Sequence, residues 1–563
     1  MTLELNPGLL LIIGGVLLPL LGRGVRLGFA LALPVIGAYS LWHAPDGMLM
    51  PIEAFGLTLE LYRVDSLSRI FGYIFLLAAF LGGIYAAHLK TALEPSAALI
   101  YAGAAIGAVF AGDLISLFVF WELTALASVF LIWARGTERA YGAGMRYLLI
   151  QITSGVLLLA GLLFLWSETG SITFDRIALD NVGGVLIFVA FGIKCAFPLL
   201  HNWLADAYPE ATPTGAVFLS SFTTKLAIYV LARGFAGTEI LIWIGVLMTL
   251  YPMFFGVIEN DLRRVLAYST NIQLGFMVVA VGVGTELALN GAAAHAFTHI
   301  LYKALLFMAM GAVLHRVGSV LGTDLGGLRK SMPWTAGFCM VGAASISAVP
   351  LFSGFVSKSM ILSAAAHEGH YVVWALLLFA SAGVLHYCSI KLPYAAFFSH
   401  DSGKRPREAP GNMLLAMGLT AVLCVVIGVF PNSLYALLPF ATDYAVYTDS
   451  HILSQVQLLL FSALGFVVLT RSGLFPVMLR GTNLDTEWFY RRLGRTMLRG
   501  LANAVGLVYS MALVLGSYQI GRILAGVRRK YGPSSLLART WTTGNMALWV
   551  ALMLGAYLLL YFV

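Results

Sequence analysis

Long apolar stretches alternate with short polar breaks along almost the whole chain. A run of about 20 apolar residues crosses a hydrocarbon core of about 30 Å as a helix. The pattern predicts helices near 8–22, 26–43, 67–88, 96–111, 113–134, 143–167, 183–200, 213–234, 238–257, 264–283, 289–315, 333–366, 370–399, 411–432, 451–470 and 546–563. Residues 46–64 follow another period: Ile52, Ala54 and Gly56 alternate with Glu53, Phe55 and Leu57, as in a small hairpin outside the bilayer. One hydrophilic linker, His400 to Gly411 (HDSGKRPREAPG), reads as a solvated loop.

Composition narrows the class. Hydrophobic residues make up 60% of the 563 and charged residues 11%; ordinary soluble domains have roughly 45–50% and 25%. That excludes a soluble globular protein and a disordered one. The first apolar run, Pro7 to Leu21, has Glu4 before it and Arg23 and Arg26 after it, the reverse of a signal peptide. It is expected to be a retained first helix with the N-terminus outside. With that orientation, twenty basic residues before position 500 fall in inner loops, and only Arg63, Arg69, Arg176 and Arg233 fall outside. This is the charge asymmetry of cytoplasmic loops. It accounts for the net charge of +8 without a nucleic-acid partner.

The same rule bears on 501–527, which is apolar enough to span. Spanning would place Arg528, Arg529, Lys530 and Arg539 outside. The expectation is instead a helix over roughly 484–527 lying along the inner face, with a reach of about 65 Å at 1.5 Å per residue. The cysteines, Cys195, Cys339, Cys388 and Cys424, sit in apolar runs with no metal or disulfide spacing. Neither a Cys-rich cluster motif nor a nucleotide-binding fingerprint occurs, so no cofactor and no metal is expected.

Charges inside the bilayer are costly and mark pathways or paired sites. Of 26 acidic residues only Glu122 lies deep in an apolar run, and five lysines lie within helices: Lys194, Lys225, Lys303, Lys358 and Lys391. Lys194 precedes Pro198, and Lys358 follows Pro350 and Gly354; each proline interrupts a helix and frees backbone groups that need a polar cavity. Two interrupted helices with one lysine each point to two related halves. His295, His299 and Lys303 are spaced i, i+4, i+8 on one helix face. A lone histidine there would be an ordinary core residue, but three titratable groups in line fit a proton relay better. A metal site does not fit, because an ammonium is no usual ligand. Lys225 ends the polar patch SSFTTK, and Lys391, before Pro393, either belongs to the relay or snorkels. Glu122 is expected to pair with Lys194, directly or through one water. An apolar setting disfavours the charged form of either group and an opposite charge restores it, so the pair can load and release a proton with no cofactor.

These residues carry a resemblance. FVFWE (118–122), GIKCAFPLLHNWLADAYPEA (192–211), TK (224–225), DLRRVLAYSTNIQLG (261–275), HAFTHILYKALLF (295–307) and PLFSGFVSK (350–358) resemble, in order and in register, the antiporter-like proton-conducting membrane subunits. That family is shared by Mrp-type sodium/proton antiporters, respiratory complex I and membrane-bound hydrogenases, and the D-type component of the Mrp group is the nearest in pattern. The resemblance implies an all-α polytopic fold with about fourteen core transmembrane helices, two inverted five-helix repeats, broken helices and a C-terminal extension. It divides the chain into N-terminal helices (1–95), a first half (96–234), a second half (238–399), C-terminal core helices (400–470) and an extension (471–563). It implies Glu122 as the essential glutamate and Lys194 as its partner. Lys225 would be the bridging lysine, His299 and Lys303 the central relay and Lys358 the terminal lysine. Ala205 and Tyr208 depart from the family's usual proline and histidine. The implied function is proton translocation in a multisubunit complex of a bacterial inner membrane, with other membrane subunits, lipid, protons and sodium as partners. The alternatives are a redox-driven complex I-like or hydrogenase complex and a bicarbonate or carbon dioxide uptake complex. A non-conducting scaffold would not need the buried charges.

Overall fold

The computed structural model describes residues 5–54, 56–474, 476, 478–481, 483–535 and 538–562. It separates into two units, residues 1–485 and 486–563. In chain order the first unit contains α1 (Pro7–Leu17), α2 (Arg23–His43), β1 (Gly47–Met48), β2 (Pro51–Ala54), β3 (Leu57–Glu60), β4 (Arg63–Val64), α3 (Ser66–Tyr85), α4 (Leu93–Val109), α5 (Leu114–Trp133) and α6 (Glu138–Thr169). It continues with α7 (Val182–Cys195), α8 (Asn202–Ala207), α9 (Pro213–Ser221), α10 (Thr223–Gly234), α11 (Ile240–Ile258), α12 (Leu262–Val283), α13 (Glu286–Val317), α14 (Pro333–Ile346) and α15 (Ser353–His367). Then follow α16 (Tyr371–Val384), α17 (Lys391–Pro393) between two π-turns, α18 (Gly411–Val429), α19 (Asn432–Tyr435) and α20 (Asp449–Arg471). The second unit has α21 (Arg495–Tyr531) and α22 (Thr543–Phe562). Thirteen helices among the described residues are long and apolar enough to cross a membrane, so the chain is a multi-pass membrane protein. The alternating stretch near 46–64 folds as antiparallel pairs, β1 with β4 and β2 with β3.

The core contains a repeat that sequence identity conceals. Asp113 caps α5 by accepting the Ser116 N–H, and Asp261 caps α12 by accepting those of Arg263 and Arg264. Each cap residue also bridges the segment after the next helix, Asp113 with Thr173 and Asp261 with Leu321. The helices α6 and α13 are both 32 residues long, and each ends on a left-handed glycine, Gly170 or Gly318. Then α7 and α14, both 14 residues, stop where backbone breaks begin. Each repeat passes five times: α4, α5, α6, α7–α8 and α9–α10, then α11, α12, α13, α14–α15 and α16–α17. Five is odd, so the second repeat runs inverted with respect to the first.

The two breaks share a backbone signature. Ala196 (φ 62°) and Leu199 (φ 70°) flank Phe197-Pro198, and Ala348 (φ 56°) and Leu351 (φ 72°) flank Val349-Pro350. Left-handed backbone costs a non-glycine residue roughly 1–2 kcal/mol. The prolines enforce the interruption by removing an N–H and clashing with the preceding turn. The helix expected over 333–366 is thus two helices, α14 and α15, separated by the break, and the one expected over 183–200 ends at Cys195, with the short α8 following from Asn202.

Candidate functional site

Of the charged residues singled out in the sequence, Lys194, Lys225, His299, Lys303 and Lys358 are buried in the helices of the two halves and Glu122 is half-buried; in chain order they make up a line from the first half into the second. In the first half Lys194, fully buried at the end of α7, donates to the Trp121 carbonyl (2.5 Å) and to Thr124 Oγ1 (2.6 Å) on α5. Its ammonium also lies 4.2 Å from the centre of the Trp121 ring. Glu122 is on the same turn of α5, and its charge and that of Lys194 act on one another. Among the described residues the two do not form a direct ion pair. Lys194 takes the carbonyl just before Glu122 and the hydroxyl two residues after it, while Glu122 Oε1 is buried without a partner. The carboxylate lies against Gly155 of α6, where a Cβ would collide with Oε1.

Lys225 stands where α9 and α10 are interrupted at Phe222. The interruption frees the Ser220 carbonyl, which accepts from Lys225 Nζ at 2.5 Å; Thr224 Oγ1 accepts at 3.3 Å. The next groups lie on α13. His299 is fully buried, neither ring nitrogen has a partner among the described residues, and the charges of Lys225, Lys303 and Lys358 all bear on it. Its ring stacks on that of His295 at 6.2 Å with a 13° interplanar angle. His295 is held by Ser357 Oγ at Nδ1 and Gln273 Oε1 at Nε2, both 2.9 Å. Lys303 donates to the Leu266 carbonyl (3.1 Å) and to Ser269 Oγ.

Lys358 closes the line. Its Nζ donates to the Ile346 carbonyl (3.1 Å), exposed where α14 stops, and to Ser381 Oγ (3.4 Å). It also borders a mainly apolar cavity of about 460 Å³, whose lining includes Phe355, Leu362 and Trp374 with Ser363, His451 and Gln455. Lys391 is placed differently: it is buried at the C-terminus of α11, where Val257 and Glu259 carbonyls accept from it at 2.6 and 2.7 Å. Its side chain is held among these carbonyls rather than extended toward solvent. It caps a helix end whose carbonyls have no intrahelical partner and whose dipole favours a cation.

Several polar partners escape a search for charge: Thr124, Ser269, Gln273, Ser357 and Ser381 hold the lysines and histidines, and Tyr101, Tyr147 and Thr223 form hydroxyl contacts between helices. Their only signal is a polar residue at helical spacing within an apolar run. Ala205 and Tyr208 are buried in α8 and the turn after it, where Arg263 donates to the Tyr208, Ala211 and Thr212 carbonyls.

Inverted repeats, two broken helices and a Glu/Lys/His line within the helices define a class, and the comparisons agree. Residues 111–383 match the family described as NADH:quinone oxidoreductase/Mrp antiporter, TM. An NADH-quinone oxidoreductase component of Desulforudis audaxviator is 30% identical over 58% of this chain and 72% of its own length. The chain belongs to this family of antiporter-like membrane subunits. A Na(+)/H(+) antiporter component of Alkalihalophilus pseudofirmus is 29% identical, over 69% of this chain and 81% of its own length. A probable K(+)/H(+) antiporter component of Rhizobium meliloti is 32% identical over 68% of this chain, which spans only 41% of that relative. The solved Mrp complex of Dietzia sp. DQ12-45-1b contains a chain of the same fold, at a TM-score of 0.75 and 25% identity, over 92% of this chain and 62% of that one.

Proposed function

We propose that the chain is the proton-conducting subunit of a multisubunit cation/proton antiporter of the Mrp type, most simply exchanging sodium for protons in a bacterial inner membrane with its N-terminus outside. The observation that carries this reading is the line Glu122, Lys194, Lys225, His299, Lys303 and Lys358, buried except for the half-buried Glu122, with members in both inverted halves. Each ammonium in it rests on a carbonyl or hydroxyl, so it is oriented without being locked to a counter-charge. The positive-inside asymmetry supports the orientation, and the likeness to antiporter components supports the cation. A redox-driven complex is the second reading. It is favoured by the 509-residue alignment, at 28% identity, to NAD(P)H-quinone oxidoreductase chain 5 of Picosynechococcus, which covers 77% of this chain.

The test is cation-driven proton movement in vesicles carrying the assembled complex, followed with a pH-sensitive dye. A sodium gradient should move protons. Glu122→Gln and Lys194→Met should each slow that flux at least about tenfold, equivalent to about 1.4 kcal/mol of barrier, with assembly intact. Wild-type flux in either variant would remove the pair from the pathway. Flux that ignores sodium and potassium but follows an electron donor would transfer the chain to the redox reading.

A further inference from the structure

We propose that Gln151 is a water-binding relay residue of the first half, the counterpart of His299 in the second, and that it joins Lys194 to the hydroxyl groups leading to Lys225. This deepens the proton-conducting reading and rests on it.

The repeat fixes the register residue by residue. Asp113 and Asp261 open α5 and α12, and Gly136 (φ 70°) and Gly284 (φ 73°) turn the chain into the next helix. Glu138 and Glu286 begin the two 32-residue helices, and Gly170 and Gly318 end them. Every pair has the same separation, so Tyr147 corresponds to His295, Gln151 to His299 and Gly155 to Lys303. The chemistry is exchanged between the halves. In the α12–α13 seam Lys303 of α13 reaches Ser269 and the Leu266 carbonyl on α12. In the α5–α6 seam that place on α6 is Gly155, and the space is taken by the carboxylate of Glu122 from α5.

Gln151 and His299 are in the same condition. Both are fully buried, and among the described residues neither polar side-chain atom of either has a hydrogen-bond partner. The neighbours of Gln151 show where it faces. One turn before it, Tyr147 OH is 2.7 Å from Ser128 Oγ on α5. Just after it, Ser154 Oγ accepts from Trp121 Nε1 (3.0 Å) and donates to the Ala190 carbonyl on α7 (2.7 Å). Gln151 therefore looks into the seam between α5 and α7, where Thr124 holds Lys194.

Beyond that seam, polar groups continue toward Lys225. Tyr147 is bonded to Ser128, and Thr223 begins α10 on the way to Lys225. Thr223 Oγ1 is 2.6 Å from Tyr101 OH, and the adjacent Thr224 accepts from Lys225. The gap in the series lies between Thr124 and Ser128, one turn apart on α5, and Gln151 stands opposite it. A primary amide offers two N–H donors and a carbonyl acceptor, the set that fixes a water without ionising. In the step, a proton passes from Lys194 Nζ to a water held by Gln151, and that water releases another proton toward the Ser128 and Tyr147 hydroxyls. The amide itself gains and loses none. A buried amide that served packing alone would be better replaced by an apolar side chain of its size, since unpaired polar atoms are penalised there.

The assembled complex in vesicles tests this with Gln151→Met, which keeps the volume but holds no water, and Gln151→His, which installs the group of the second half. Gln151→Met should slow cation-driven proton flux at least tenfold while assembly is unchanged. Gln151→His should keep at least a third of the flux and acquire a pH dependence in the imidazole range, which packing alone would not produce. Wild-type flux in Gln151→Met, or equal loss in both variants with intact assembly, overturns the relay. If Gln151→Met does not assemble, the wild-type complex decides: a density map that resolves waters should show one within hydrogen-bond distance of the Gln151 amide, and a dry seam overturns the inference. Loss of flux in Glu122→Gln alongside normal flux in Gln151→Met defeats only this inference. A wild-type complex that moves no protons defeats the reading beneath it.

Discussion

All five intramembrane lysines donate to backbone carbonyls: Lys194 to Trp121, Lys225 to Ser220, Lys303 to Leu266, Lys358 to Ile346 and Lys391 to Val257 and Glu259. A carbonyl accepts from an ammonium or from a neutral amine, so it positions the nitrogen in either state. A carboxylate at the same distance would bind the charged form far more strongly. Thr124→Asp, which puts a carboxylate where Lys194 now meets a hydroxyl, is therefore expected to hold the proton and cut flux at least about tenfold, some 1.4 kcal/mol of barrier. Thr124→Ser should transport normally. Proton flux in vesicles containing each complex makes the comparison, and unimpaired flux in the aspartate variant would show that Lys194 does not exchange its proton. Lys391 is expected to differ in kind. As a cap on α11 it should lower the thermal midpoint when changed to methionine, by an amount corresponding to about 1–3 kcal/mol, while flux through the folded fraction stays near normal. A tenfold loss of flux without loss of stability would return it to the relay.

At the scale of elements, the breaks hold non-glycine residues in left-handed backbone. Leu199 is 70% exposed and left-handed, so Leu199→Gly gives up little burial and removes the cost of φ 70°. It should be neutral or stabilising by up to about 1 kcal/mol, measured as the thermal midpoint of the complex. A marked destabilisation would mean that the leucine side chain, facing lipid or a neighbouring protein, holds the break together. The apolar runs and Pro198 and Pro350 made the helices and their interruptions legible from the sequence. The left-handed residues that flank the prolines were not legible, because alanine and leucine are no signal for positive φ. The repeat was concealed for a chemical reason: its corresponding positions hold Tyr147 against His295, Gln151 against His299 and Gly155 against Lys303. Charge led to Glu122 and the lysines. A neutral amide in an apolar helix gave nothing to follow until the repeat placed it opposite a histidine, and the carbonyls at the end of α11 that hold Lys391 left no signal in the sequence.

For the whole molecule, the open matter is how residues 486–563 meet the membrane. The helix expected near 484–527 is α21, Arg495–Tyr531, preceded by a π-turn at Phe489–Gly494. Its 37 residues run without proline or break, and at 1.5 Å per residue they extend about 55 Å, well beyond a hydrocarbon core of about 30 Å. None of its residues is buried. A perpendicular span would leave almost half of it in water, although its leucines, valines and tyrosines continue along most of its length. It would also carry Arg528, Arg529 and Lys530 to the outer side, against the asymmetry of twenty to four among the loop basic residues before position 500. A helix lying in the inner interface satisfies both constraints: apolar side chains enter the acyl boundary, and the arginines at its two ends meet headgroups. Lys530→Cys provides the measurement with little background, because the four native cysteines are all buried. In intact cells the new thiol should be silent to a membrane-impermeant maleimide applied outside and should react once the membrane is opened; labelling from outside would make α21 a span and place the C-terminus of the chain in the cytoplasm.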